Sequence, residues 1–223
     1  MCYRSSLKTA LSITDNINNE IIYVESGKYP LACKIKKLQL KFWIYVQKYI
    51  QDFPEAALSA MVSAGLQAKI PYLRHYQNLQ TEFSDPMSCE RSTRNVYFEK
   101  WKQKFETEND PDSRLGTYFR INPSLLRPVL PLHIMEIERI LITRYRTGSH
   151  SLAIEIGRYS NTPRENRICK CNMNVQTVWH IFIECPLTIA CGRRNFNNLN
   201  ELFLDQNVHR TLIAISKVLK IPI

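Results

Sequence analysis

The most informative stretch of this chain is CKCNMNVQTVWHIFIECP, residues 169–186. It places Cys169, Cys171, His180 and Cys185 in the pattern C-x-C-x8-H-x4-C. Three thiols and one imidazole form a complete tetrahedral ligand set for zinc, with no open position for a water molecule. The pattern therefore predicts one structural zinc ion that holds a small knuckle-like unit together, and it argues against a catalytic metal.

The first two cysteines of this pattern are separated by one residue, where most zinc knuckles have about two to four. A pair this close is expected to give up the turn whose backbone N–H groups normally bond the thiolates. Cys191, which follows Cys185 in the same region, is the reserve ligand if the close pair cannot bind together. Nearby cations lower the pKa of thiols and favour metal loading; they are Arg167, Lys170, Arg193 and Arg194.

Outside the cluster, the composition is basic and lacks the signals of secretion or membrane insertion. The 223 residues carry 30 Lys+Arg against 20 Asp+Glu, a formal charge of +10, with a pI near 9.3. Such an excess favours polyanions as partners, nucleic acid above a membrane surface. No signal peptide and no membrane-length apolar run is found in the sequence, so we expect an intracellular, reduced protein in which the cysteines bind metal instead of forming disulfides.

The spacing of apolar residues predicts a mainly α fold: a helical body over 31–146, a Cys3His zinc-knuckle-like unit and a C-terminal helix. The first strong helix is 31–50, with an apolar stripe at Ile35, Leu38, Phe42, Tyr45, Val46 and Tyr49. Further helices are predicted at 55–68 and 72–83, and residues 84–94 are predicted to be a loop. We divide the chain into 1–83, 84–150 and 151–223.

Two later helices have clear core stripes. In 133–146 the stripe is Ile134, Ile137, Leu141 and Tyr145, with Arg139 and Arg146 opposite it and Gly148 as the C-cap. In 208–220 it is Val208, Leu212, Ile215 and Leu219.

The segment RYRTGSHSLAIEIGRYSNTPRENRICKC, residues 144–171, together with His180 and Cys185–Pro186, resembles the C-terminal tail of LINE-type (non-LTR) retrotransposon reverse transcriptases. YVESGKYPL, residues 23–31, followed by KFW at 41–43, resembles the stretch after the polymerase domain of the same polyproteins. The C-x-C pair departs from the C-x-x-C of that family, as a decayed copy would. The matching positions include Arg144, Arg146, His150, Glu155, Gly157, Arg158, Pro163, Arg164, Glu165 and Arg167.

This resemblance implies a non-catalytic, nucleic-acid-binding region, nuclear if expressed, whose partners are RNA or DNA and the reverse transcriptase domain of a parent polyprotein. The parent would be an RNA-directed DNA polymerase, but this sequence has no adjacent Asp-Asp pair and no room for an endonuclease after Cys185. The expected phosphate contacts are clustered arginines, with Arg146, Arg164 and Arg167 leading and none of those three in the core. The full set is Arg139, Arg144, Arg146, Arg158, Arg164 and Arg167.

Two other classes of protein are consistent with parts of the sequence. A helical, zinc-stapled scaffold that binds protein and no nucleic acid is the alternative, and steep salt dependence would distinguish nucleic-acid binding from it. An enzyme would need a nucleophile and a base, such as Cys89 with His75 or His133, and no local motif supports that pairing. Arg158 has an alternative role as well, because Glu155 lies one helix turn away and can pair with it.

Overall fold

The computed structural model describes residues 2–13, 16–50, 78–130, 134–190 and 196–221. The predicted mainly α fold is confirmed, and this part of the chain contains no β-strand. The predicted helix 55–68, most of 72–83, and His75 and His133 lie outside it. The helices are α1 Cys2–Leu11, α2 Asn19–Ser26, α3 Leu31–Ile50, α4 Pro86–Glu106, α5 Arg114–Ile121, α6 Glu136–Thr147, α7 Ala153–Tyr159, α8 Pro186–Ile189, α9 Leu199–Leu204 and α10 Val208–Leu219.

The chain divides into two compact units. One consists of Met1–Lys28 with Lys102–Ile223, and the other of Tyr29–Trp101. The division into 1–83, 84–150 and 151–223 was made by motif and stays a prediction. None of the described helices is both long and apolar enough to cross a bilayer.

In the larger unit, α6 is the central helix, and it packs against α2, α5 and α10. Its end is as predicted, because Gly148 adopts a left-handed φ of 78° and its N–H bonds the carbonyl of Arg144. Leu141 and Tyr145 are buried as expected, but Ile137 is 50% exposed. The single-stripe prediction fails here because neighbours on several sides bury the second half of α6 all round.

The C-terminal helix α10 closes the same core. Its four predicted core residues are all buried. They pack with Leu141, Ile142 and Tyr145 of α6 and with Cys169 and Cys185 of the cysteine cluster. The cluster therefore lies on the main hydrophobic core of the larger unit.

In the smaller unit, α3 spans the predicted residues but buries a different face. Cys33, Leu40 and Trp43 are buried, whereas Ile35, Leu38, Phe42 and Tyr45 of the predicted stripe are exposed. Leu40 packs with Leu79, Phe83 and Cys89. The prediction of the buried face was wrong because α3 is apolar on two sides and periodicity cannot choose between them. The side chains of Val46 and Tyr49 lie outside the described part.

The predicted loop at 84–94 is instead the beginning of the long helix α4. Asp85 accepts hydrogen bonds from the N–H groups of Met87 (2.7 Å) and Ser88 (3.0 Å). Pro86 occupies the first helical position, where its missing N–H costs nothing. Asp followed by Pro is thus a helix start in this sequence, and it was mistaken for a turn.

Candidate metal centre

A short hairpin presents the first two cysteines. Ile168 and Val175 form an antiparallel bridge, and the Cys169 N–H bonds the carbonyl of Asn174 at 2.8 Å. Asn172 turns the chain with a φ of 60°, which asparagine tolerates better than most residues. The hairpin places Cys169 and Cys171 on its tip, facing the core.

The close C-x-C pair keeps the N–H···S bonds that its spacing was expected to forfeit. The backbone N–H of Cys171 bonds the sulfur of Cys169, and that of Met173 bonds the sulfur of Cys171. The expectation was wrong because the turn continues through Asn172 and offers a second N–H beyond the pair. Such bonds stabilise thiolates, so the one-residue spacing is compatible with metal binding.

A single π-helical turn, His180–Glu184, together with the residue that follows it, presents the other two residues. The N–H of Cys185 bonds the carbonyl of His180 at 2.7 Å, five residues back. A π turn closes over five residues, so the H-x4-C spacing brings both side chains to one side. Thr177 begins the turn by accepting a hydrogen bond from the His180 N–H at 3.0 Å.

The two halves bring the four predicted side chains together. Their ligand atoms all lie within 4.8 Å of one another. The sulfurs of Cys169 and Cys185 are 3.8 Å apart, and Cys171 Sγ is 3.2 Å from His180 Nε2. All but the half-buried Cys171 are buried, and the three cysteines are free thiols. These four residues can therefore hold a metal ion.

The two thiols of the hairpin differ in acidity. Burial and the neighbouring thiols raise the pKa of Cys169 to about 12. Burial also raises the pKa of Cys171, but the Met173 N–H, the His180 ring and the other two sulfurs outweigh it and bring the value to about 7. Metal ligation needs thiolates, so Cys171 is the group best prepared to take an ion first.

Glu184 completes the surroundings of His180, and the sequence reading missed it. His180 Nδ1 is buried and has no hydrogen-bond partner within the described ranges, yet Glu184 Oε2 lies 3.6 Å away. The other carboxylate oxygen accepts a hydrogen bond from the Trp179 indole at 2.7 Å. A carboxylate beside the second ring nitrogen orients many metal-binding histidines. The four-residue spacing from His180 to Glu184 on one helical turn was the available signal.

Arg146, one of the three leading arginines, lies in the core, and the expectation that it would not was wrong. Its side chain is 4% exposed, and Nη2 is 3.4 Å from Glu25 Oε2. Glu25 is equally buried and also accepts a hydrogen bond from the Tyr118 hydroxyl at 2.9 Å. Burial raises the pKa of Glu25, while Arg146 and Tyr118 act against that rise. In this position Arg146 neutralises Glu25 and does not reach the surface.

The guanidinium of Arg167 donates hydrogen bonds to backbone carbonyl groups. Its guanidinium donates to the carbonyl of Ile154 (3.0 Å) and twice to that of Thr162 (2.9 and 2.7 Å). The stem of its side chain lies against Gly157, where an added Cβ would overlap it. This contact links α7 to the segment that leads into the hairpin.

The remaining predicted arginines have one internal acceptor or more. Arg158 pairs with Glu155, as its alternative role predicted, and donates to the carbonyl of Asp112 at 2.7 Å. Arg144 donates to the Ser12 carbonyl, and Arg139 lies 3.5 Å from Glu136. Arg164 pairs with Asp112 but remains 55% exposed. The reserve ligand Cys191 and the cations Arg193 and Arg194 lie outside the described residues.

Comparison with protein-family models found no match. The comparisons with curated proteins and with solved structures found none either.

Proposed function

We propose that Cys169, Cys171, His180 and Cys185 hold one structural zinc ion. A tetrahedral ion with Zn–S of about 2.3 Å and Zn–N of about 2.0 Å separates two sulfurs by about 3.8 Å and a sulfur from a nitrogen by about 3.5 Å. The corresponding separations here are 3.8 and 3.2 Å. The donor set, these two separations and the convergence of all four ligand atoms within 4.8 Å support zinc.

In this role the ion would bind the hairpin 168–175 to the turn His180–Glu184. Cys169 and Cys185 already belong to the main core, beside Phe182 and Leu219. Four protein ligands fill the tetrahedral shell, so the ion would supply stability and no water for chemistry. We therefore propose a non-catalytic centre.

Cobalt substitution tests the ligand set directly. The chain loaded with Co²⁺ should show the strong d–d absorption and the thiolate charge-transfer band of a tetrahedral site. Cys185→Ser should weaken the charge-transfer band in proportion to one lost thiolate, and Cys89→Ser, a buried cysteine of the smaller unit, should leave it unchanged. An octahedral spectrum, or equal effects of the two substitutions, would contradict the proposal.

We further propose that the chain binds nucleic acid without catalysis, as the C-terminal region of a LINE-type polyprotein would. The excess of ten positive charges and the resemblance over 144–171 support it. Because most of the predicted arginines are occupied internally, the contacts are assigned to exposed cations around the hairpin. Arg164 precedes the hairpin, Lys170 lies on it, and Lys217 is exposed on α10.

One contact brings Lys170 close to the C-terminal end of α10, the helix that also carries Lys217. The Lys170 ammonium donates to the carbonyl of Leu219 at the end of α10, two residues beyond Lys217. Arg120 lies over the Trp179 ring at 5.0 Å from its centre and adds another exposed cation beside the metal centre. Cations around a small folded unit suit phosphates, which give affinity with little sequence information.

The test is the salt dependence of binding to a labelled single-stranded RNA, a single-stranded DNA and a duplex. Replacing Arg164, Lys170 and Lys217 by Gln should lower the slope of log K against log salt by about 2 on single strands, at about 0.7 per contact. A matched variant with Gln at Lys34, Lys41 and Lys48 removes the same charge from the smaller unit and should keep the slope. Equal slopes for the parent and the Arg164 set, or no binding by the parent, would favour the protein-binding scaffold.

A further inference from the structure

Helix α3 exposes a continuous apolar face on the smaller unit. Five large apolar side chains on it are between 45% and 60% exposed, namely Leu31, Ile35, Leu38, Phe42 and Tyr45. The opposite face carries the buried Cys33 and Leu40, and Leu40 packs against Leu79, Phe83 and Cys89. One face of α3 therefore packs in the core of the smaller unit, and the opposite apolar face is exposed.

The exposed face has the spacing of a helix-pairing seam. The intervals from Leu31 through Ile35, Leu38 and Phe42 to Tyr45 are four, three, four and three residues. This alternation is the a/d repeat by which one helix packs along another. With Ile35 and Phe42 at a, the buried Cys33 and Leu40 both take position f, directly opposite the seam.

The charged residues beside this apolar face of α3 indicate which kind of helix can pack on it. Lys34, Lys41 and Lys48 occupy successive g positions and are all exposed. The e positions of this face are the uncharged residues Ala32, Gln39 and Val46. Residues at e and g select the partner of a seam through ion pairs, so a flank of three lysines fits a helix with acidic residues beside its own apolar stripe.

We propose that this a/d face of α3 binds an amphipathic helix of a protein partner whose flanks are acidic. A second copy of the chain fits poorly: an antiparallel pair sets lysine against lysine, and a parallel pair sets Lys34 against the neutral Gln39. A lipid surface is also disfavoured, because the lysines lie on one flank and the seam is only two positions wide. This proposal concerns the smaller unit and is independent of the metal centre.

The probe is a labelled three-heptad peptide with Leu at a and d and Glu at e and g, measured against the full chain by fluorescence anisotropy. A second peptide with Lys at e and g is the comparison. The acidic peptide should bind at least about tenfold more tightly, the amount expected from about three interhelical ion pairs. Replacement of the three lysines by glutamate, K34E/K41E/K48E, should make the chain bind the Lys peptide more tightly than the Glu peptide.

The apolar seam is tested by L38E/F42E, which should abolish binding of the acidic peptide without loss of helicity, since both side chains are exposed. The control V129E/L204E places the same charges on exposed apolar residues of the larger unit and should bind as the parent does. The proposal is overturned if both peptides bind equally, or if the parent binds neither. Binding to anionic vesicles that L38E/F42E removes would assign the face to lipid and would also overturn it.

Discussion

Arg146→Met tests whether one of the three leading predicted phosphate ligands is instead a structural residue. The substitution keeps the apolar stem and removes the guanidinium that lies 3.4 Å from Glu25. Glu25 would then be a buried carboxylate with the Tyr118 hydroxyl as its remaining hydrogen bond among the described contacts. Removing one partner of a buried ion pair costs about 3–5 kcal/mol, because the other charge stays buried without compensation.

That loss has a measurable size and pH dependence. For a chain of this length it lowers Tm by roughly 6–20 °C, at about 2–4 °C for each kcal/mol. Burial already holds the pKa of Glu25 above its usual value, and loss of the Arg146 charge raises it further. A carboxyl whose pKa is raised on folding stabilises below its unfolded pKa and loses that contribution as pH rises through the folded value. The deficit of Arg146→Met should therefore be larger at pH 7.5 than at pH 5.

Urea unfolding followed by circular dichroism, with zinc in excess, gives the free energy of unfolding. Arg164→Gln, which breaks an exposed ion pair with Asp112, is the matched control and should cost less than about 1 kcal/mol. The double variant E25Q/R146M should recover most of the loss, since no charge is left in the core. A loss below about 1 kcal/mol for Arg146→Met, or no recovery in the double variant, would refute the assignment of Arg146 to the core.

Three further predictions follow from contacts in the larger unit. Gly157→Ala would gain up to about 1 kcal/mol of helix propensity in α7, but its Cβ displaces the Arg167 side chain from its carbonyl partners. The variant should therefore be less stable than the parent by about 1–3 kcal/mol in urea unfolding, and a stabilised variant would contradict this. Glu184→Gln keeps an acceptor for the Trp179 indole but removes the charge beside His180 Nδ1. It should lower metal affinity about tenfold in chelator competition, and unchanged affinity would show that Glu184 does not orient the His180 ring. Burial and the Arg158 and Arg114 charges lower the pKa of His150 to about 3. The neutral imidazole therefore stabilises the fold above the unfolded pKa near 6.5, and this contribution is lost as pH falls, by about 1.4 kcal/mol per pH unit at most. His150→Gln should lose less stability between pH 6.5 and 4 than the parent does, and equal slopes of stability against pH would contradict this.

The parts that the sequence predicted well are those where one local rule decides. The C-x-C-x8-H-x4-C spacing identified the four residues that converge, and Gly148 marked the end of α6 by its left-handed backbone. The C-terminal helix was predicted with its complete buried stripe because only one of its faces is apolar. In each case the pattern has a single structural solution.

The failures arise where tertiary packing chooses among local alternatives. Helix α3 has two apolar faces, and the residues that pack on Leu40 come from positions about forty or more residues away. Arg146 and Arg167 were predicted to be surface cations because arginine is seldom buried. In the structure, Arg146 pairs with Glu25, and Arg167 donates hydrogen bonds to the carbonyls of Ile154 and Thr162. Glu25 lies more than a hundred residues before Arg146, and no spacing rule links two such distant positions.

The central claim is that four side chains from the hairpin 168–175 and the turn His180–Glu184 with Cys185 hold one zinc ion. Its most direct test is the zinc content of the purified full chain by elemental analysis, compared with the content of His180→Ala and of the control His209→Ala. We predict about one zinc per chain in the parent and the control, and a large loss in His180→Ala. A parent chain that contains no zinc, or a His180→Ala variant that retains a full equivalent, would contradict the account.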